Sequence, residues 1–260
     1  MPGSSPTNDR IWADSYPEGV TPDVDFPDQP CTRMIEEAAK RYADNVAFYF
    51  LGQKFTYKEM SKEFLKFASA LSGLGVKKGD RVAIYLPNCP QFISAYLGAL
   101  KIGAVVVSIN PLYTKSEIGY LLKDSGAQTI VCLDLNYRNI CAVKDEVGVN
   151  NIIVTNIADN LPKFKRTLGK MLKKIPFEST WREEGLNNTG VHDFKQLIKT
   201  SSDNPVEPGF TSNDDIACIQ YTSGTTGVAK GAILTHSNIV SNRISGYSML
   251  APFLEPGREV

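Results

Sequence analysis

A run of hydroxyls and glycines with a lysine close behind it is what a chain can set against the crowded negative oxygens of a nucleotide polyphosphate. Residues 222 to 230 read Thr-Ser-Gly-Thr-Thr-Gly-Val-Ala-Lys. Thr222, Ser223, Thr225 and Thr226 offer hydroxyls, while Gly224 and Gly227 let the backbone take unusual dihedrals and come close to a ligand. Successive amides, these hydroxyls and the flexible cation of Lys230 can then converge on one anion. A Walker A loop would end in Gly-Lys-Ser/Thr. Here Ala229 precedes the lysine and Gly231 follows it, so the hydroxyl that holds magnesium in a P-loop NTPase is missing from its place.

The elements around the loop must aim it. Ile216 to Tyr221 is a short, mostly apolar run that suits a buried strand entering a turn. Helical spacing of Ile239, Val240, Ile244, Tyr247 and Leu250 follows, with Thr235 or Ser237 as the N-cap. Upstream, a helix is expected at 33–42, a hairpin at 46–50 and 54–56, and a helix from Thr56 to Leu74 whose apolar face is Phe64, Leu65, Phe67, Ala68 and Leu71. Strands at 81–86, 104–109 and 128–133 then alternate with helices at 91–102 and 116–124, and a further helix and strand run to 154. Such alternation predicts an α/β fold with a doubly wound, mostly parallel sheet, and ligands in these folds sit at the carboxyl ends of the strands.

The match at Tyr221-Thr-Ser-Gly-Thr-Thr-Gly-Val-Ala-Lys230-Gly-Ala is long, and it closely resembles the phosphate-binding signature of the adenylate-forming superfamily of acyl-CoA synthetases, adenylation domains and luciferases. Tyr96 to Thr114 resembles a second block of that family in the form ending Asn110-Pro111, as in its fatty-acid and coumarate branches, and Phe55 to Met60 is similar to a first. The resemblance implies a large amino-terminal domain and a two-step reaction. A carboxylic acid, a long-chain fatty acid or an aryl acid such as coumarate, would be activated with ATP and Mg2+ as acyl-AMP and passed to CoA. It assigns the β- and γ-phosphates to Thr222, Ser223, Gly224, Thr225, Thr226, Gly227 and Lys230, with Lys230 also stabilising the leaving group. Family segments expected beyond the loop are not found before Val260. These are the aromatic-Gly-x-Thr-Glu segment, the ribose-binding Thr-Gly-Asp and the carboxyl-terminal lysine. The expectation is therefore a truncated, amino-terminal part, poorly active without the other half of the enzyme. A nucleotide-binding piece without turnover is the alternative.

Three divisions follow. Residues 1–30 hold six of the fifteen prolines and read as an extended lead-in. Residues 31–205 form a first α/β subdomain with a helical insertion at 156–190, and residues 206–260 begin a second that carries the loop. Lys plus Arg and Asp plus Glu both number 28, so no global charge argues for nucleic acid and phosphate recognition must be local. Cys31, Cys89, Cys132, Cys141 and Cys218 are scattered without a CxxC pair, and with two histidines they suggest no structural metal site and a reducing cytoplasm. His192 is read as a surface or capping residue and His236 as a hydrogen-bonded structural histidine.

In the insertion, Leu161, Phe164, Leu168, Met171 and Ile175 recur at helical spacing, while Lys163, Lys165, Arg166, Lys170, Lys173 and Lys174 make the other side basic. A solvated helix packed on the domain is the simpler reading; peripheral membrane contact through 161–175 is the second. Neutralising the six basic positions should abolish binding to anionic liposomes in a sedimentation assay, and no binding by the unmodified chain would end the membrane reading.

Overall fold

The computed structural model describes residues 15–20, 23–161, 181–182, 190–210, 213–222 and 229–255. Helix α1 (Arg33–Arg41) leads into a hairpin, β1 (Val46–Phe50) and β2 (Gln53–Thr56), and then α2 (Tyr57–Gly73). The alternating part runs β3 (Arg81–Tyr85), α3 (Pro90–Lys101), β4 (Val105–Ser108), α4 (Lys115–Ser125), β5 (Thr129–Leu133), α5 (Tyr137–Cys141), α6 (Lys144–Val147) and β6 (Asn151–Thr155). After it come β7 (Val191–Asp193), α7 (Phe194–Thr200), β8 (Ile216–Thr222), β9 (Lys230–Thr235) and α8 (His236–Leu250).

Three long helices start in the same way. At Thr56, Thr114 and Thr235 the hydroxyl accepts from the backbone N–H three residues on, and the side chain there (Glu59, Glu117 or Asn238) accepts from the threonine's own N–H. Each such box satisfies two donors that a helix start leaves unpaired. Of the two caps weighed for the last helix, the structure uses Thr235.

Seven strands form one sheet in the order β7-β6-β5-β3-β4-β8-β9. Every pairing is parallel except β8 with β9. Alternate residues of the same strands feed opposite faces. Val82, Ile84, Val106, Val131 and Ala217 pack with Phe67 and Leu71 of α2 and Ala95 and Ala99 of α3. Ala83, Tyr85, Val107, Ile130 and Cys132 pack with Ile118, Leu121 and Leu122 of α4 and with Ile140 of α5. Both faces are covered, which is the condition under which a parallel sheet is stable, and each fully buried Leu, Ile or Phe contributes about 2–3 kcal/mol. Because α3 leaves β3 on one face and α4 leaves β4 on the other, the crevice of this doubly wound sheet opens between the carboxyl ends of β3 and β4.

Two strands escaped the sequence reading. β7 has three residues with a histidine in the middle and no apolar run, and β9 begins Lys-Gly-Ala, which reads as the tail of a loop. His192 is accordingly a half-buried strand residue whose Nε2 lies 3.2 Å from Asn151 Oδ1, and the cap of α7 is Asp193, which accepts from Gln196 N–H. The point between residues 205 and 206 falls in the α7–β8 connection, and both sides of it contribute strands to the one sheet. The basic segment at 163–174 lies outside the described residues. Beyond it Trp181 is buried in the α4-side core, and Arg182 pairs with Asp193 at 2.9 Å. Among the described residues no helix is long and apolar enough to cross a membrane.

α2 and α3 meet at Gly98, where an added Cβ would stand 3.0 Å from the Phe64 carbonyl oxygen and 3.0 Å from the Phe67 ring. Gly98→Ala should cost about 1–3 kcal/mol through overpacking, read as a lower denaturant midpoint with unchanged slope. His236 ties α8 to the amino-terminal side of the fold. The Cys31 N–H donates to its Nδ1 at 3.2 Å, the Phe210 ring meets it edge-on at 4.7 Å, and the ring is 1% exposed. Burial lowers its pKa to about 4, with Asp215 opposing and Lys78 adding to the shift. The folded state therefore refuses a proton that the unfolded chain accepts near pH 6.5, so stability is complete above that pH and falls as pH drops toward about 4, by up to about 3 kcal/mol. Urea melts at pH 7 and pH 4.5 should show this loss, and His236→Asn should flatten it.

Candidate functional site

The proposed phosphate grip hangs from the β8–β9 hairpin. β8 is built into the sheet through β4, with Val106 opposite Cys218, Val107 opposite Ile219 and Ser108 opposite Gln220. Its carboxyl end therefore emerges one strand from the crevice between β3 and β4. β9 returns antiparallel, pairing Tyr221 with Gly231 and Thr222 with Lys230. Thr222 and Lys230, 8 positions apart in sequence, are brought face to face across the mouth of the hairpin, and both are exposed. Ser223, Gly224, Thr225, Thr226 and Gly227 lie outside the described residues.

Gly231 has a packing role. A Cβ there would stand 2.6 Å from Ile219 Cγ2 and 3.2 Å from Tyr221 Cζ. The Tyr221 ring thus lies over the glycine backbone of the neighbouring strand, as aromatic residues do when they cover a strand glycine. This accounts for a glycine directly after Lys230 on steric grounds alone.

α4 touches the hairpin on both sides of its loop. The Tyr221 hydroxyl donates to Asp124 Oδ2 at 2.5 Å, and the Tyr120 hydroxyl donates to the Ala229 carbonyl at 3.0 Å. Burial and the Asp124 carboxylate beside it push the Tyr221 phenol well above its ordinary pKa, so it remains a donor throughout the neutral range. α4 is itself fixed at both ends. Asn110 Oδ1 accepts from Leu112 N–H and Tyr85 donates to the Tyr113 carbonyl ahead of the helix. At its end, the Arg81 guanidinium donates to the carbonyls of Ser125 and Gly126. The sequence gives Tyr120 and Asp124 no motif that marks them as part of a site. Their i, i+4 spacing puts them on one side of α4, but nothing local says which later segment comes to lie beside them.

Other groups do not join this site. Burial pushes the Cys31 and Cys89 thiols up to about 12 and about 11 and raises Cys132 and Cys218, so these four offer no thiolate at neutral pH. An apolar cavity of about 360 Å³ between the β1–β2 hairpin and the start of α3 is lined by Phe48, Phe50, Phe92 and Ile93. A polar one of about 260 Å³ lies at the amino ends of the strands, beside Arg81 and Gln128. Neither includes Thr222 or Lys230. Among the described residues there is no group of three or more His, Cys, Asp or Glu side chains that could hold a metal ion.

The profile described as AMP-binding enzyme matches residues 35–254. A long-chain-fatty-acid–CoA ligase of Yersinia pestis is 36% identical over 259 residues, covering 97% of this chain and 45% of the relative. The ligase of the same name from Bacillus subtilis (strain 168) is 35% identical over 238 residues, 90% of this chain and 41% of the relative. The chain spans less than half the length of these relatives. Among solved structures, a long-chain-fatty-acid-CoA ligase from Archaeoglobus fulgidus superposes with a TM-score of 0.70 at 24% identity, over 92% of this chain and 43% of the other. An anthranilate CoA ligase in complex with anthranoyl-AMP gives 0.65 at 21% identity, over 81% of this chain and 35% of that one. Those two structures share the fold, a mainly parallel α/β sheet, and the profile match across residues 35–254 makes this chain a member of the AMP-binding, adenylate-forming enzyme family.

Proposed function

We propose that the chain is the amino-terminal part of an ATP-dependent acyl-CoA synthetase that activates a long-chain fatty acid. The observation that carries the reading is the register of Thr222 with Lys230 at the carboxyl edge of the sheet, next to the crevice of the fold. A hydroxyl and a cation held opposite each other at the two ends of a Thr/Ser/Gly loop suit the β- and γ-phosphates of ATP. In the first step a carboxylate oxygen bonds to the α-phosphorus while the bond to the bridging oxygen of pyrophosphate breaks. Charge builds on that leaving oxygen, and Lys230 would offset it in place. In the second step the sulfur of CoA attacks the acyl carbonyl carbon and AMP leaves with the bonding pair. Magnesium would arrive with ATP, coordinated by phosphate oxygens and water.

The fatty-acid class is supported by the names of the Yersinia pestis and Bacillus subtilis relatives. An aryl acid is the second reading, suggested by the block ending Asn110-Pro111, which resembles the coumarate branch as well as the fatty-acid one. A third is nucleotide binding without turnover. A cytoplasmic location, with or without peripheral membrane contact through 161–175, is part of the same proposal.

Equilibrium dialysis with MgATP and acid-dependent ATP–pyrophosphate exchange separate these readings. The 260-residue chain should bind MgATP, and Lys230→Ala should weaken binding about tenfold, the worth of one charge-assisted phosphate contact. Exchange should be slow and greatest with long-chain acids. Preference for aromatic acids would favour the second reading, and binding with no exchange the third. Unchanged affinity in Lys230→Ala would remove the phosphate role from that residue.

A further inference from the structure

We propose that Tyr120 and Asp124 of α4 are positioning residues that clamp the two stems of the β8–β9 hairpin and so hold Thr222 and Lys230 in register for the phosphates of ATP. The proposal rests on the phosphate reading of the hairpin, and it adds two residues about a hundred positions upstream of the loop. Among the described residues β9 lies at the edge of the sheet, hydrogen-bonded to no strand but β8, and its first four residues are exposed. Parallel pairing with β4 supports β8 as far as Gln220, short of the loop. Beyond that point, the side-chain hydrogen bonds that reach the loop end among the described residues come from α4. Asp124 takes the hydroxyl of Tyr221 on one stem, and Tyr120 donates to the carbonyl of Ala229 on the other. Tyr221 immediately precedes Thr222, and Ala229 immediately precedes Lys230.

The two contacts act through different atoms toward one end. Asp124 restrains a side chain, whose ring is already locked over Gly231 by a close fit. Tyr120 restrains the backbone itself, fixing the peptide plane that enters Lys230. Together they stop the mouth of the hairpin from twisting or sliding by one residue, a slip that would send Lys230 to the opposite face of the sheet. A polyphosphate pulls on the same two residues through Thr222 and Lys230. If the stems are held before the ligand arrives, less ordering has to be done on binding.

The experiment compares Tyr120→Phe, Asp124→Ala, Asp124→Asn, Tyr221→Phe and the double variant Asp124→Ala/Tyr221→Phe in the 260-residue chain. Three readouts are taken: hydrogen–deuterium exchange resolved over residues 216–235, the dissociation constant for MgATP, and the thermal midpoint. Tyr120→Phe, Asp124→Ala and Tyr221→Phe should each speed exchange at the hairpin mouth, leave exchange in β3, β5 and β6 as it was, and weaken MgATP binding about threefold to tenfold, the range expected for losing one hydrogen bond to a charged or carbonyl acceptor. The double variant should lose no more than either of its components, because both remove the same bond. Asp124→Asn keeps an acceptor oxygen and should recover most of the affinity. Unchanged exchange at the mouth, with MgATP binding intact, overturns the clamp and spares the phosphate reading. Loosening spread across the whole sheet with a fall in the midpoint also overturns it, since the residues would then serve only stability. If the unmodified chain binds no MgATP, the phosphate reading fails by itself, and faster exchange confined to the mouth still decides for the clamp.

Discussion

The candidate site depends on one ladder, the parallel pairing of β4 with β8. It joins residues 106–108 to residues 218–220, more than a hundred positions later, and among the described residues it is the only strand pairing that ties the hairpin to the rest of the sheet. Loop closure over such a separation costs entropy that local contacts cannot return. The burial of Ala217 and Cys218 against α2 and α3, and of Tyr221 against α4, supplies what the ladder's few hydrogen bonds do not. Once that pairing forms, β8 ends one strand from the crevice between β3 and β4, so the placement of Thr222 and of Lys230 opposite it is a consequence of sheet order.

Much of this was legible in the sequence because it is written locally. The alternation from Arg81 to Val154 gives the parallel sheet, and Thr56 and Thr235 are recognisable as helix starts, to which the structure adds Thr114. The signature from Tyr221 to Lys230 carries the expectation of a phosphate-binding loop, and the hairpin brings its two ends, Thr222 and Lys230, opposite each other. What could not be read was relational. β7 is three residues long and owes its existence to a ladder with β6, and β9 owes its existence to β8. Propensity alone does not make a strand of Lys-Gly-Ala, and a neighbour with free hydrogen-bonding groups does. His192 was misplaced for the same reason: its role is set by Asn151 on the adjacent strand.

Gly231 marks the limit of reading a signature by its chemistry. Placed beside a lysine in a glycine-rich segment, it invites a role in approaching the ligand. The structure assigns it a different constraint, the space taken by Ile219 Cγ2 and the Tyr221 ring on the facing strand. Tyr221 in turn is the point where packing and electrostatics meet. Its ring fills the gap above the glycine and its hydroxyl reaches the carboxylate of Asp124.

A lysine at the start of an exposed edge strand is free to reach a ligand, and for the same reason it is poorly held. Its long side chain carries rotamer entropy that binding must remove, and an edge strand has half the backbone support of a central one. A chain can meet both demands only by leaving the side chain in solvent while immobilising the backbone beneath it. The arrangement at the hairpin has that form: Lys230 is exposed, the residue before it is bonded to α4, and the residue after it is covered by an aromatic ring. α4 can serve as the anchor because its own two ends are fixed to the sheet, by Tyr85 at one and Arg81 at the other. Support for the two stems of the hairpin is thus borrowed from β3, which supplies both of those residues and lies at the centre of the sheet.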